Sequence, residues 1–380
     1  MPQDRPTWST KPKSARLVCL SWLIPATVVT GQDLAKSEAG TELLHTAGEG
    51  FRLWTTDHFL IAYDTPPDAV RALVGRLEGV FDTIGRFRRG NRLDGTAPTQ
   101  PLPVVFYSSF GDFRQYLSRS GVGSASVAGV YLQNSNVAAF CHTLNTPSLE
   151  PLLREIGRLE RQVHRASPSS GRSGRDALLR QLNSLRVQRD SLVRRFDRLV
   201  IQHEAAHQVL FNVGVHVLGG ENPTWLVEGL ACQFETPQPS ANGLLTEINQ
   251  LRLGDFRQAM NASPQVRTVV DHQWRKALDA RRLLPIRELI SHPEEMTPAG
   301  GLIAYRYGQA WALVFYLHRW KRDAFADYLR ELGRRRPGVA VSGDDEIRIF
   351  ERHFGPADAD GDRSMADLIM RLRYDPRDSD

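Results

Sequence analysis

The sequence predicts an α+β protein, with a small α/β sheet subdomain, a helical C-terminal part and an inserted antiparallel helical hairpin. Three observations carry this. Between residues 51 and 148, short apolar runs of strand length alternate with helical spacing. Residues 149–199 hold a heptad seam and no strand signal. From residue 200 onward, apolar residues recur mostly at steps of three and four. A length of 380 residues allows two or three units, and 41% hydrophobic with 24% charged residues excludes a wholly disordered or fibrous chain.

At the N-terminus, Lys11, Lys13 and Arg16 precede a mostly apolar run over 17–29 and the small residues Thr30 and Gly31. That order is expected of a signal peptide over 1–31. The run is too short to span a bilayer, which takes about 20 residues. No transmembrane span is therefore expected in the mature chain. The expected location is outside the cytoplasm (periplasmic, cell-surface or secreted), and cytoplasmic only if the signal is not read. Residues 32–50 are small and polar and read as a linker. Cys19, Cys141 and Cys232 are too few for a disulfide framework and form no C-x-x-C pair.

In the sheet subdomain, 58–64 and 102–107 read as buried strands, and 127–132 with 137–141 as a hairpin around Gln133-Asn134-Ser135-Asn136. Helical spacing covers 68–87 and 110–118. Next, Leu152, Ile156, Leu159 and Val163 form one seam. Leu178, Leu182, Leu185, Arg189, Leu192, Phe196 and Leu199 form a second, across the breaker at 167–171. Two such helices fold back as a hairpin. In the C-terminal part, 244–260, 283–290, 305–320, 325–332 and 365–372 read as helices. The segment 358–362 lacks the Glu and Gly spacing of a calcium loop and reads as a polar turn.

The net charge of +5 is unevenly spread. Lys occurs only at 11, 13, 36, 276 and 321, so the basic residues are nearly all Arg. Residues 150–198 hold twelve Arg against six acids, which leaves the remainder of the chain at −1. The ordinary reading is a pair of solvated helix faces; the functional one is an acidic partner, polyanionic wall material or a lipid surface. Nucleic acid is not expected, because the hairpin interleaves no aromatics except Phe196 and carries its own acids.

The chemical signal is His203-Glu204-Ala205-Ala206-His207. On a helix, residues i and i+4 share a face, so two imidazoles can reach one tetrahedral metal ion with Glu204 beside them. Such a site needs a third ligand and one open position. Glu228, in Pro223-Thr224-Trp225-Leu226-Val227-Glu228-Gly229-Leu230-Ala231, sits within an apolar helical stretch where an unpaired carboxylate is costly. His216 is the other candidate, but Gly214 and His216 fall out of register with H-E-x-x-H-x-x-G-x-x-H, and Glu228 is preferred.

These two segments together resemble the gluzincin zinc metallopeptidases of the peptidase-MA-like group, including aminopeptidase-N-like enzymes. They most resemble an uncharacterised bacterial domain family with an H-E-x-x-H-Q helix. The resemblance covers roughly 50–148 and 200–355 and makes the hairpin an insertion. It implies a zincin-type helix core, a zinc cofactor (Zn2+) held by His203, His207 and Glu228, Glu204 as general base, and a peptide or protein substrate. It also implies a tyrosine that steadies the oxyanion. In Ile303-Ala304-Tyr305-Arg306-Tyr307-Gly308-Gln309-Ala310-Trp311, a Y-x-x-G match picks Tyr305, whereas Y-x-Q-x-W picks Tyr307. Two departures stand out beside the register of His216. Cys232 occupies the position where thermolysin-like relatives place an orienting Asp, so that support must come from Glu235 or a backbone carbonyl. The G-x-M-E-N loop of aminopeptidases is absent, so exopeptidase specificity does not carry over. A rival expectation, from another class, is a non-catalytic scaffold that works through the Arg-rich hairpin with a structural or vestigial metal.

Overall fold

The computed structural model describes residues 37–95, 97–122, 127–165, 172–236, 242–298 and 301–375. The expected signal peptide at 1–31 lies outside them. The fold is α+β. Strands β1 (Arg52–Thr55), β2 (Phe59–Tyr63), β3 (Leu102–Tyr107), β4 (Gly129–Leu132) and β5 (Val137–Cys141) form one sheet in the order β1-β2-β3-β5-β4. The inner pairs β2–β3 and β3–β5 are parallel, and the outer pairs β1–β2 and β4–β5 are antiparallel. Inner strands covered on both faces read as continuous apolar runs, which is why 59–63 and 102–107 stand out in the sequence.

Alternation along the strands splits the core in two. Leu60, Ala62, Val105, Tyr107, Ala139 and Cys141 face helices α1 (Glu38–Ala47) and α3 (Phe110–Arg119). Phe59, Ile61, Val104, Phe106, Ala138 and Phe140 join the larger core beneath α2 (Pro67–Gly90) and the helical part of the molecule. Helix α1 corrects the expected linker over 32–50. Ser37 caps it by accepting the Gly40 N–H, and Leu43 and Ala47 are buried against the sheet. Its buried positions Gly40, Leu43 and Ala47 step by three and four, but two of them are Gly and Ala, so the pattern is faint in the sequence.

The hairpin consists of α4 (Glu150–Arg165) and α5 (Arg172–Phe196), closed by Ile156, Leu159 and Leu182 in a small cluster separate from the main cores. Helix α5 does not end at the body. It continues through a π-helical turn, Asp197–Gln202, into α6 (His203–Asn212). The boundary expected at 199/200 therefore falls inside one helical rod.

The rest comprises α7 (Thr224–Phe234), α8 (Gln250–Ala259), α9 (Asp271–Asp279), α10 (Ile286–Ser291), α11 (Ile303–Trp320), α12 (Arg322–Leu332), α13 (Gly343–Phe354) and α14 (Ala359–Met370). The helix expected over 244–260 starts only at Gln250, because Asn249 caps it through the Arg252 N–H. The polar turn expected at 358–362 is the start of α14: Asp358 accepts the Gly361 N–H as its cap, and Asp362 accepts the Ile286 N–H. Helix α11 crosses α7 at Gly229 and α8 at Gly308. A Cβ at Gly229 would lie 2.6 Å from the Ala310 carbonyl oxygen, and one at Gly308 would lie 2.8 Å from the Phe256 nitrogen. Among the described residues no helix is long and apolar enough to cross a membrane.

Candidate metal centre

The rod α5–α6 is pinned where it changes pitch. Asp197 is buried, accepts a hydrogen bond from the Thr143 hydroxyl at 2.9 Å and pairs with Arg76 at 2.5 Å. A π turn places an extra residue in the coil and is common beside functional sites. One turn further, His203 and His207 project from the same face of α6, with their Nε2 atoms 3.0 Å apart and their rings nearly perpendicular at 85°. Helix α7 brings Glu228 to them: its Oε2 lies 3.1 Å from His203 Nε2 and 3.5 Å from His207 Nε2. Burial works against the Glu228 charge, but His207 and His203 outweigh it and hold the carboxyl far below its usual range. Two imidazole nitrogens and a carboxylate oxygen within 4.8 Å of one another make a donor set that could hold a metal ion.

Behind this trio lies a polar network that orients it. His203 Nδ1 is 2.9 Å from Glu235 Oε1. Arg252 grips the same carboxylate with Nη2 at 2.5 Å and Nε at 2.9 Å, and Asn249 donates to Oε2 at 2.8 Å. Burial raises the Glu235 carboxyl, but Arg252 and then His203 pull it down to about 2, so it stays a carboxylate. A carboxylate on the far nitrogen of a ligand histidine fixes the tautomer and sharpens the ligand. Cys232 also approaches His203, and His203, Cys232 and Glu235 form a second close group. All three are buried, Glu235 is already saturated by Arg252 and Asn249, and burial pushes the Cys232 thiol up to about 11. This group supports the histidine rather than holding an ion of its own.

The open side of the trio is a cleft of about 610 Å³. Glu204 lines it, with Oε2 accepting the main-chain N–H of Tyr131 at 2.8 Å. Tyr131 belongs to β4, the edge strand of the sheet. Tyr307 lines the opposite part of the site, its ring stacked on His203 at 5.7 Å and 11° with the Arg252 guanidinium 5.3 Å from its centroid. Burial first, and then Glu228, raises its phenol well above the usual value, so it carries its proton at neutral pH.

The structure thus brings His203, His207, Glu228, Glu204 and Tyr307 to one cleft. Tyr305, two residues earlier on α11, packs at the margin of the main core and is not among the cleft residues. His216 is buried against Phe211, outside the cleft lining, and burial together with His207 drives it down to about 3. The sequence reading named Glu235 but missed Arg252, Asn249 and the Tyr131 N–H. The first two look like an ordinary helix start, and a backbone donor leaves no mark in sequence.

The model of a family described as protein of unknown function (DUF1570) matches residues 199–339, a stretch that holds every side chain of this centre. No curated protein and no solved structure matches the chain.

Proposed function

We propose that the chain is a zinc metallopeptidase of the gluzincin type, built on a zincin-like core, that hydrolyses peptide bonds. The observation that carries this reading is the convergence of His203, His207 and Glu228 on an open cleft with Glu204 beside them. A purely structural metal site has no use for Glu204. Zinc held by the three ligands would supply Lewis acidity toward a peptide carbonyl and toward water.

The chain's own residues do the rest. Glu204 takes the proton of the attacking water and passes it to the departing amine. One of its oxygens is anchored by the Tyr131 N–H, which leaves the other for this exchange. Tyr307, protonated and on the cleft wall, donates a hydrogen bond to the oxyanion that develops at the scissile carbonyl. Strand β4 borders the cleft through Tyr131 and offers an edge along which an extended peptide can lie. Glu235 and Arg252 keep His203 in place throughout.

The test is zinc content and hydrolysis of a mixed peptide library by wild type, Glu204→Gln and Glu228→Ala. Expected are one zinc per wild-type chain with hydrolysis, zinc retained but activity down by about 10²–10⁴-fold in Glu204→Gln, and zinc lost in Glu228→Ala. Full activity in Glu204→Gln overturns the base, full zinc in Glu228→Ala overturns the third ligand, and a zinc-free wild type overturns the enzyme.

A further inference from the structure

We propose that Glu221 selects substrates that carry a positive charge close to the scissile bond, an inference that rests on the peptidase reading above. The chain has more basic than acidic residues overall. Yet among the described residues that line the cleft there is no Lys and no Arg, and there are four glutamates: Glu204, Glu221, Glu228 and Glu346.

Three of these charges have an assignment. Glu228 is held by the two histidines, and Glu204 is the base. Glu346 is matched from behind by Arg335, which donates to its two oxygens at 2.6 and 2.7 Å. Glu221 is different. It is exposed, and among the described residues its Oε2 accepts only the main-chain N–H of Val341, at 2.8 Å. Arg335 reaches the Glu221 main-chain oxygen at 3.3 Å and gives its charge to Glu346. No ion pair to the Glu221 carboxylate occurs among the described residues.

The carboxylate is also well presented. It sits at the entry to α7, seven residues before Glu228, on a turn that Asn222 braces by accepting the Val217 N–H and donating to the Val217 and Gly220 carbonyls, all at 2.9–3.0 Å. An unmatched carboxylate in a cleft with low-dielectric walls attracts cations and repels anions. Charge complementarity of this kind acts on partner choice more than on raw affinity. The matching group on a peptide is an ammonium or guanidinium, which comes either from a Lys or Arg side chain or from a free N-terminal amine.

The experiment uses matched fluorogenic peptides in which Lys, Gln or Glu is scanned through the positions flanking the cleaved bond, each with a free and an acetylated N-terminus. Wild type is expected to prefer Lys over Glu by about three- to tenfold in kcat/KM at one position. The ratio is expected to fall toward one in Glu221→Gln, whose amide oxygen still accepts the Val341 N–H, and to invert in Glu221→Lys. A preference for Lys that survives acetylation assigns the cation to a side chain; a preference for the free over the acetylated N-terminus, with none for Lys, assigns it to the terminal amine. Binding of the same peptides to the Glu204→Gln protein, followed by fluorescence anisotropy at about 50 and 500 mM salt, reads the same preference without turnover. It is expected to weaken at the higher salt. Equal handling by wild type both of Lys and Glu peptides and of free and acetylated N-termini, or a preference unchanged in Glu221→Gln, overturns the proposal. Charge-selective binding with no cleavage of any peptide leaves Glu221 standing and overturns the peptidase reading instead.

Discussion

His203 carries contacts on three sides: Glu228 and His207 at Nε2, Glu235 at Nδ1, and the Tyr307 ring on its face. Each contact makes a separate prediction. Glu235→Gln removes the charge that fixes the tautomer and leaves Arg252 buried without its partner. Zinc affinity, read by chelator competition, is expected to fall by about 10–100-fold, and stability by about 3–5 kcal/mol. On the other face, Tyr307→Phe is expected to lower kcat by about 10²-fold with little change in KM, as befits a donor that acts only as the oxyanion forms. Tyr305→Phe, at the core margin, is expected to leave both near wild type. Steady-state kinetics on the two variants distinguish the registers that the sequence alone left open. The i, i+4 spacing of the histidines and the misplaced carboxylate at 228 were legible because each breaks a local rule of composition. Their supporting network was not, since Arg252 and Asn249 meet Glu235 only in the folded chain, where α7 and α8 both pack on α11.

Elements tell the same story in both directions. Strands β2 and β3 stood out because burial on both faces leaves unbroken apolar runs. Helix α1 did not, because its buried face is made largely of Gly40 and Ala47 and carries little apolar signal. The π turn was invisible as well: the heptad seam runs on to Leu199, whereas the coil has already changed pitch at Asp197. The start of helix α14 reads as a turn because its first residues are all small or acidic, although 365–372 reads as a helix. That start carries a testable cost. Burial, partly countered by the Ile286 N–H, lifts Asp362 to about 6. The folded state then binds this proton more tightly than the unfolded chain, where an aspartate titrates near 3.9, so stability declines as pH rises from about 4 to 6. Asp362→Asn keeps an acceptor for the Ile286 N–H and removes the penalty. Its thermal midpoint is expected to exceed wild type at pH 7.5 by the equivalent of about 1–2 kcal/mol after solvent screening, and to match it near pH 4.

At the scale of the whole molecule, the hairpin has a small core of its own. Leu182, Ile156 and Leu159 close the hairpin on itself, and none of them belongs to the main core that surrounds the candidate site. Cutting the arm short inside its two helices, by replacing 153–193 with a short linker, is expected to keep zinc stoichiometry and peptide hydrolysis near wild type. Extending the deletion through Asp197 removes the pairs with Arg76 and Thr143 and is expected to loosen the ligand helix, seen as weaker zinc binding. Zinc content and circular dichroism of the two deletions check this. The uneven charge was visible from the sequence as a local excess. Its direct connection to the candidate site was not, because only the three-dimensional path shows that the charged arm and the helix of His203 and His207 are one continuous rod.

That continuity sets a rule for how the arm can vary. A residue added to α5 turns everything beyond it by about 100° and moves it by about 1.5 Å. With α6 fixed by its packing in the main core, the rotation is passed outward to the arm, and its apolar stripe no longer meets α4. Insertions that preserve both come as about seven residues in each helix, which is two turns and one repeat of the seam. Relatives of this chain should therefore carry arms whose lengths step in paired sevens, with the stretch from Asp197 to His207 constant in length.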